Sequence, residues 1–264
     1  METSASLLEP FPANELMIDL NADLGEGEAY DDEILACVSS ANIACGGHAG
    51  DVFSMRTAVE SAMKHGVAIG AHPSFPDREN FGRTTMQMPA ESLYASLIEQ
   101  ISTLRNIATA AGAPIVHVKP HGALYNQAAR DQLLAQVIVR AVMHVDPTLR
   151  LFALAGSELI AVARAAGLAV AEEVFADRRY DAQKNLVSRS RPDACIEDVK
   201  EALQQAMMLI EQGKVVSVDG QTLEMKADTV CLHGDGKQAL ALARLIRDTL
   251  AQKNIVVKSL PSHR

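Results

Sequence analysis

Short apolar runs alternate along the chain with longer stretches in which apolar residues recur every three or four positions. The short runs read as strands: M-I-D-L from Met17, A-N-I-A from Ala41, V-A-I-G from Val67 and I-V-H-V-K from Ile115. R-L-F-A-L from Arg150, A-V-A-E-E-V from Ala169 and T-V-C-L from Thr229 complete a set of seven. The longer stretches predict helices. Leu93, Leu97, Ile101, Leu104 and Ala108 form one stripe, with Pro89 and Glu91 at its start and Gly112 as a stop. Leu133, Leu134, Val137, Ile138, Ala141 and Val142 form a second stripe. Ile196, Val199, Leu203, Met207 and Ile210 form a third that ends at Gly213, and Leu240, Leu245, Ile246 and Leu250 form the last. V-V-S-V-D-G-Q-T-L-E-M from Val215 reads as a small hairpin.

Strands alternating with helices predict right-handed βαβ units and a parallel sheet. Seven such strands fit a closed barrel or an open, doubly wound sheet. No G-x-G-x-x-G follows the first strand and no G-x-x-x-x-G-K-[ST] occurs, which weighs against the open nucleotide-binding folds. No linker or repeat divides the chain, so one domain over 17–264 is expected behind a flexible N-terminal extension over 1–16.

Composition narrows the function classes. The 264 residues can bury a sizeable core, and 48% apolar with 22% charged residues is ordinary globular usage. The net charge of −9 argues against a nucleic-acid partner, and no apolar run is long enough to span a membrane. Aromatics make up only 4% and Trp is absent, which argues against a stacking cleft for sugars or bases. Cys37, Cys45, Cys195 and Cys231 are widely spaced and the N-terminus has no secretory pattern, so reduced thiols and a cytoplasmic location are expected.

The polar residues concentrate where strands end. The first strand leads into D-L-N-A-D-L-G-E-G-E, with Asp19, Asn21, Asp23 and Glu26. The second leads into N-I-A-C-G-G-H-A-G-D, with Asn42, His48 and Asp51. The third supplies His72, and the fourth Lys119, His121, Tyr125 and Asn126. The sixth supplies Asp177, Arg178 and Tyr180, and the seventh His233 and Asp235. In parallel α/β folds the strand C-termini and their loops converge on the active site.

Asp23, His48 and His72 could together hold a divalent metal with open positions, or exchange protons with substrate without one. Lys119 and Arg178 suit an anionic group, although Lys119 equally suits a carboxylate partner inside a barrel, where His117 would also face. Asp31, Asp32 and Glu33 read as helix N-terminal residues, and His65, before Gly66, as a helix C-terminal cation. S-R-S-R-P-D-A from Ser188 fits either a basic substrate lid or, preferably, a helix start at Pro192-Asp193. G-D-G-K after His233 is a weak phosphate-cradle signal.

D-L-N-A-D-L-G-E-G, A-N-I-A-C-G-G-H-A-G-D, A-H-P-S-F-P-D, V-K-P-H-G-A-L-Y-N, E-V-F-A-D-R-R-Y and L-H-G-D-G, in this order, resemble the LamB/YcsF family over nearly the whole chain. That family's pattern usually reads G-F-H-A-G-D where this chain has Gly47, which would leave extra space beside His48. The resemblance implies a (β/α) barrel with about seven parallel strands, of the glycoside hydrolase/deacetylase type. It implies ATP-dependent opening of 5-oxo-L-proline to L-glutamate, with ATP as co-substrate and 5-oxoprolinase subunits B and C as partners.

On that reading Asp23, His48, His72, His121 and Lys119 form the chemical centre. Asn21, Asn42, Asp51, Tyr125, Asn126, Arg178, His233 and Asp235 contact substrate. The alternatives are a stand-alone metal-dependent amide hydrolase and a non-catalytic lactam-binding subunit.

Overall fold

The computed structural model describes residues 16–232 and 238–261. Its elements run β1 (Met17–Leu24), α1 (Asp31–Leu35), β2 (Ser40–Ala44), α2 (Val52–His65), β3 (Ala68–His72), α3 (Ala90–Ala110) and β4 (Ile115–Val118). There follow α4 (Gly122–Ala128), α5 (Gln132–Val145), β5 (Arg150–Leu154), α6 (Glu158–Ala165), β6 (Val170–Phe175), α7 (Val199–Gln212), β7 (Lys214–Val216) and β8 (Thr222–Glu224). Last come β9 (Thr229–Leu232), α8 (Ala239–Gln252) and β10 (Val256–Val257).

Strands β1, β2, β3, β4, β5, β6 and β9 pair in parallel, and β9 returns to β1. The choice left open by the strand count is therefore settled as a closed seven-stranded barrel. All seven predicted strands are present, and β10 adds a short parallel pairing to Met17 and Ile18 of β1. The predicted hairpin is the antiparallel pair β7 and β8.

The apolar core lies between the barrel and its helices. Leu20, Ala22 and Leu24 of β1 and Ile43 of β2 join the helix stripes of Leu93, Leu97, Ile101 and Leu104 in one cluster. Side chains alternate along a strand, so the other face of β1 presents Asp19, Asn21 and Asp23 to the barrel interior. Hydrogen bonds between non-adjacent strands show this directly. Asn21 of β1 donates to Glu173 of β6, and His117 of β4 pairs with Asn42 of β2. Barrels of this kind are ordinarily filled by branched apolar residues. Here the interior is a polar network, which raises the stakes for every group in it.

Two local expectations are corrected. Asn21 and Asp23 lie within β1, which runs four residues beyond M-I-D-L, rather than in the loop after it. The third stripe does not begin near Pro192. Helix α7 starts at Val199, with the Asp198 side chain accepting from Glu201 N at 2.8 Å. Ala194 O instead accepts from Arg179 N at 3.0 Å and Cys195 bridges to Arg178. That pairing pulls the Pro192 region back across the strand end. Asp31, Asp32 and Glu33 do occupy the first turn of α1, and His65 the last turn of α2.

Candidate active site

The C-terminal ends of β1, β3, β4 and β6 open into a cavity of about 570 Å³, lined at its base by Asp23, His72, Lys119, Tyr125 and Phe175. Glu26, from the loop after β1, and His121, the residue before α4, complete that base.

Lys119 anchors it. Its Nζ lies 2.9 Å from both Asp23 Oδ1 and Glu173 Oε1, and 3.0 Å from Cys231 Sγ. Burial alone would lower this ammonium, but Asp23, the Cys231 sulfur and Glu173 outweigh it and raise the group well above its ordinary value. Lys119 is thus a fixed cation neutralised within the barrel. Asn42 Nδ2 donates to Asp23 Oδ1 at 2.8 Å and to Asn21 Oδ1 at 2.7 Å. Asn21 and Asn42 therefore orient Asp23 and Lys119 from below the cavity. Tyr125 Oη and Glu173 Oε2 are buried without a hydrogen-bond partner of good geometry. Burial, with the charge of Glu173 adding to it, drives the Tyr125 phenol well above its usual range. Burial pushes the Cys45 thiol up to about 12.

Around this base stand three imidazoles. His48 and His121 stack with centroids 3.6 Å apart and rings 1° from parallel, and His72 meets both edge-on. The tautomers follow from the main chain. His72 Nδ1 lies 2.7 Å from Lys119 O and His121 Nε2 lies 2.9 Å from Phe81 O, and a carbonyl can only accept, so these nitrogens carry hydrogen. The opposite nitrogens, His72 Nε2 and His121 Nδ1, then bear lone pairs and face each other at 2.9 Å.

Glu26 Oε1 stands 2.9 Å from His48 Nε2, 3.4 Å from His121 Nδ1 and 3.8 Å from His72 Nε2. Two lone pairs at that separation require a proton or a cation between them. Burial, with the neighbouring imidazoles adding to it, holds His121 well below the ordinary histidine value, and burial holds His48 down to about 2. The donor set Glu26, His48, His72 and His121, with ligand atoms all within 4.8 Å of one another, therefore fits a divalent metal. The carbonyls of Lys119 and Phe81 supply the outer contacts that orient such ligands.

This donor set differs from the trio expected from the sequence. His48 and His72 belong to it, but its carboxylate is Glu26, while Asp23 pairs with Lys119 and stands 3.4 Å from His72 Nε2. Space beside His48 is also corrected. A Cβ on Gly47 would lie 2.5 Å from Gln100 Oε1 and from Ser74 Oγ, so these two side chains already fill that room. Gln100, buried on α3, accepts from Ser74 N and donates to Ser74 O, fixing the loop that follows His72.

The other site candidates divide. Tyr125 and Asn126 line the cavity, the latter with its Nδ2 donating to Gly122 O. Arg178 lines it too, but is buried and donates to Val187 O at 2.6 Å and Ala194 O at 3.3 Å. Asp51 is not brought there. It is exposed and caps α2, its carboxylate accepting from Ser54 N at 2.8 Å while Ser54 Oγ accepts from Asp51 N. His233, Asp235 and the rest of G-D-G-K lie outside the described residues.

Two expected outcomes arise here. Gly82 sits at φ +64°, and a Cβ on it would lie 2.8 Å from His48 Cβ and 3.0 Å from His121 Cδ2. Gly82→Ala is expected to destabilise by about 1–3 kcal/mol through strain and overpacking. Urea unfolding measures it, and wild-type stability would contradict the packing.

The second concerns pH in the metal-free protein. His48 and His117 are held by burial to about 2 and about 3, below the usual 6.5. The unfolded chain binds their protons first as pH falls. Their stabilising contribution is therefore complete above pH 6.5 and is lost progressively below it, by up to about 1.4 kcal/mol per pH unit per histidine. Asp19, raised by burial, works the other way. Urea midpoints that stay flat from pH 7 to 5 would contradict this.

The described fold and site define a class: α/β-barrel proteins that gather carboxylates and imidazoles at the C-terminal ends of parallel strands. A profile of the LamB/YcsF family matches residues 18–264, and the chain belongs to that family. It is similar to the crystal structure of a lactam utilization protein from Thermus thermophilus, at 42% identity and a TM-score of 0.86, over 93% of this chain and all of that one.

The fold alone is shared with the catalytic domain of a peptidoglycan N-acetylglucosamine deacetylase from Eubacterium rectale, at 10% identity and a TM-score of 0.54, over 98% of this chain and 94% of that one. It is shared likewise with a family 4 carbohydrate esterase from Streptomyces lividans, at 14% identity and a TM-score of 0.51, over 94% and 95%. Among the described residues no helix is long and apolar enough to cross a membrane.

Proposed function

We propose that this chain is a subunit of an ATP-dependent 5-oxoprolinase that opens the lactam of 5-oxo-L-proline to L-glutamate together with subunits B and C. The observation that carries the reading is the convergence of His72 Nε2, His121 Nδ1 and Glu26 Oε1 above the Asp23–Lys119 pair, at the base of a small-molecule-sized cavity. The relative named for lactam utilization supports the substrate class.

Ring opening adds water across the amide: oxygen joins the carbonyl carbon, the C–N bond breaks, and the nitrogen leaves with an added proton. Where no metal engages their lone pairs, Glu26 and the imidazoles can accept the water proton and return one to nitrogen. Lys119, 2.9 Å from Asp23 Oδ1, places a fixed cation beside that carboxylate at the base of the cavity. A divalent metal held by Glu26, His48, His72 and His121 would supply Lewis-acid polarisation. The lactam is a stable amide, so coupling to ATP through the partner subunits supplies the remaining driving force.

The test is glutamate release from 5-oxo-L-proline by the chain with ATP, with and without subunits B and C. Release is expected only in the complete mixture, and no release there would contradict the proposal. The four-donor cluster also favours a second reading, a metal-dependent amide hydrolase acting alone. Amide hydrolysis by the chain without ATP or partners, abolished by a chelator, would establish that reading instead.

The cluster makes its own prediction: the metal-free protein should take up about one equivalent of Zn²⁺ or Co²⁺. Glu26→Gln should weaken binding at least about tenfold by removing the one anionic ligand. Titration calorimetry reads it, and equal binding by the variant would contradict the ligand set.

A further inference from the structure

The chain carries 33 acidic against 24 basic residues, yet six cationic side chains and three carboxylates line the main cavity. Apart from Lys119, the cations are Arg83, Arg130, Arg178, Arg189 and Arg191. Gathering guanidinium groups within one hollow of an acidic protein costs self-repulsion unless the occupant is anionic.

Their arrangement separates structural from ligand-facing roles. Arg178, buried and donating to Val187 O and Ala194 O, staples the loop that carries Ser188, Arg189, Ser190 and Arg191, so that S-R-S-R forms a wall of the cavity. Arg191 holds Asp193 through both fork nitrogens at 2.8 and 2.6 Å, at an exposed site where such a pair contributes little and can be exchanged for a ligand. Arg83 lies over the Phe81 ring, 4.8 Å from its centroid, beside the stacked imidazoles. Arg130, at the exposed end of the segment that begins with α4, borders both this cavity and an adjoining hollow of about 300 Å³ that contains Lys184.

We propose that this arginine wall is an oxyanion subsite that takes a phosphate-class dianion. A single carboxylate is satisfied by one guanidinium fork, whereas a tetrahedral dianion offers three oxygens to several forks at once. The hydroxyls of Ser188, Ser190 and Thr85 on the same wall supply neutral donors. Because the wall and the histidine cluster belong to one cavity, the inference deepens the proposed function by giving the charge class of its occupant. It rests on that reading only in naming the occupant a substrate or product.

Calorimetric titration of the intact chain tests it without any turnover, so failure of lactam hydrolysis and failure of this subsite are read separately. The probes are inorganic phosphate, methyl phosphate and acetate. Phosphate binding is expected, with acetate at least about tenfold weaker, and Arg130→Glu and Arg191→Glu each weakening phosphate at least about tenfold. Methyl phosphate binding as tightly as inorganic phosphate supports a phosphoryl group carried on the substrate. Binding of inorganic phosphate alone supports a released-phosphate site. Absence of phosphate binding, binding unchanged in both variants, or acetate binding as tightly as phosphate would each overturn the subsite.

Discussion

Replacing Lys119 with methionine is expected to cost about 3–5 kcal/mol of unfolding free energy, the range for breaking a buried ion pair by removing one partner. The side chain is 3% exposed, and its Nζ is shared at 2.9 Å between Asp23, 7% exposed, and Glu173, fully buried. Methionine keeps the volume and removes the cation, leaving two carboxylates facing each other across the barrel. Chemical denaturation at pH 7 measures the loss, and a cost below about 1 kcal/mol would contradict the network.

The pH dependence separates lost charge from lost packing. Removing the cation leaves two buried carboxylates uncompensated, a repulsion that protonation relieves. The variant should therefore regain stability relative to wild type as pH falls. Adding Glu173→Gln to Lys119→Met should also recover part of the loss, because one of the two uncompensated charges is gone.

The polar barrel interior explains how far the sequence could be read. The strands and the stripes of α3, α5 and α8 were legible because one face of each packs in a common apolar core, and periodicity reports that directly. The convergence of His48, His72, His121 and Lys119 was legible too, since each follows a short apolar run. Glu26 was not singled out for the site, because it lies in G-E-G, a segment without periodicity. Its one signal is its position three residues past Asp23.

Glu173 left a clearer trace. It is one of two adjacent glutamates in a strand whose other positions are apolar; Glu172 reaches Arg164, whereas the Glu173 side chain is fully buried, which is expensive unless it is paired. The partner Lys119 is the matching anomaly immediately after β4. The misplaced start of α7 and the misassigned Asp51 have opposite causes. At Pro192 a sound local start signal is overridden by pairing of Ala194 and Cys195 with Arg178 and Arg179. At Asp51 a local rule suffices: Asp followed three positions later by Ser, at the start of a helix, is a cap. Gly47 belongs to neither kind. Its neighbours Gln100 and Ser74 come from other elements, so no inspection of G-G-H could reveal that the space beside His48 is filled.

The second large effect concerns turnover, and it bears most directly on the central claim that the Glu26–histidine cluster is where the lactam is opened. The measurement is the rate of glutamate release from 5-oxo-L-proline and ATP by the chain reconstituted with subunits B and C, for wild type, Glu26→Gln and His48→Ala. Removing one acid–base group from such a site costs on the order of 10²–10⁴ in rate. Both variants are expected to lose at least about a hundredfold while keeping wild-type partner binding. Glutamate release at the wild-type rate by either variant would contradict the account.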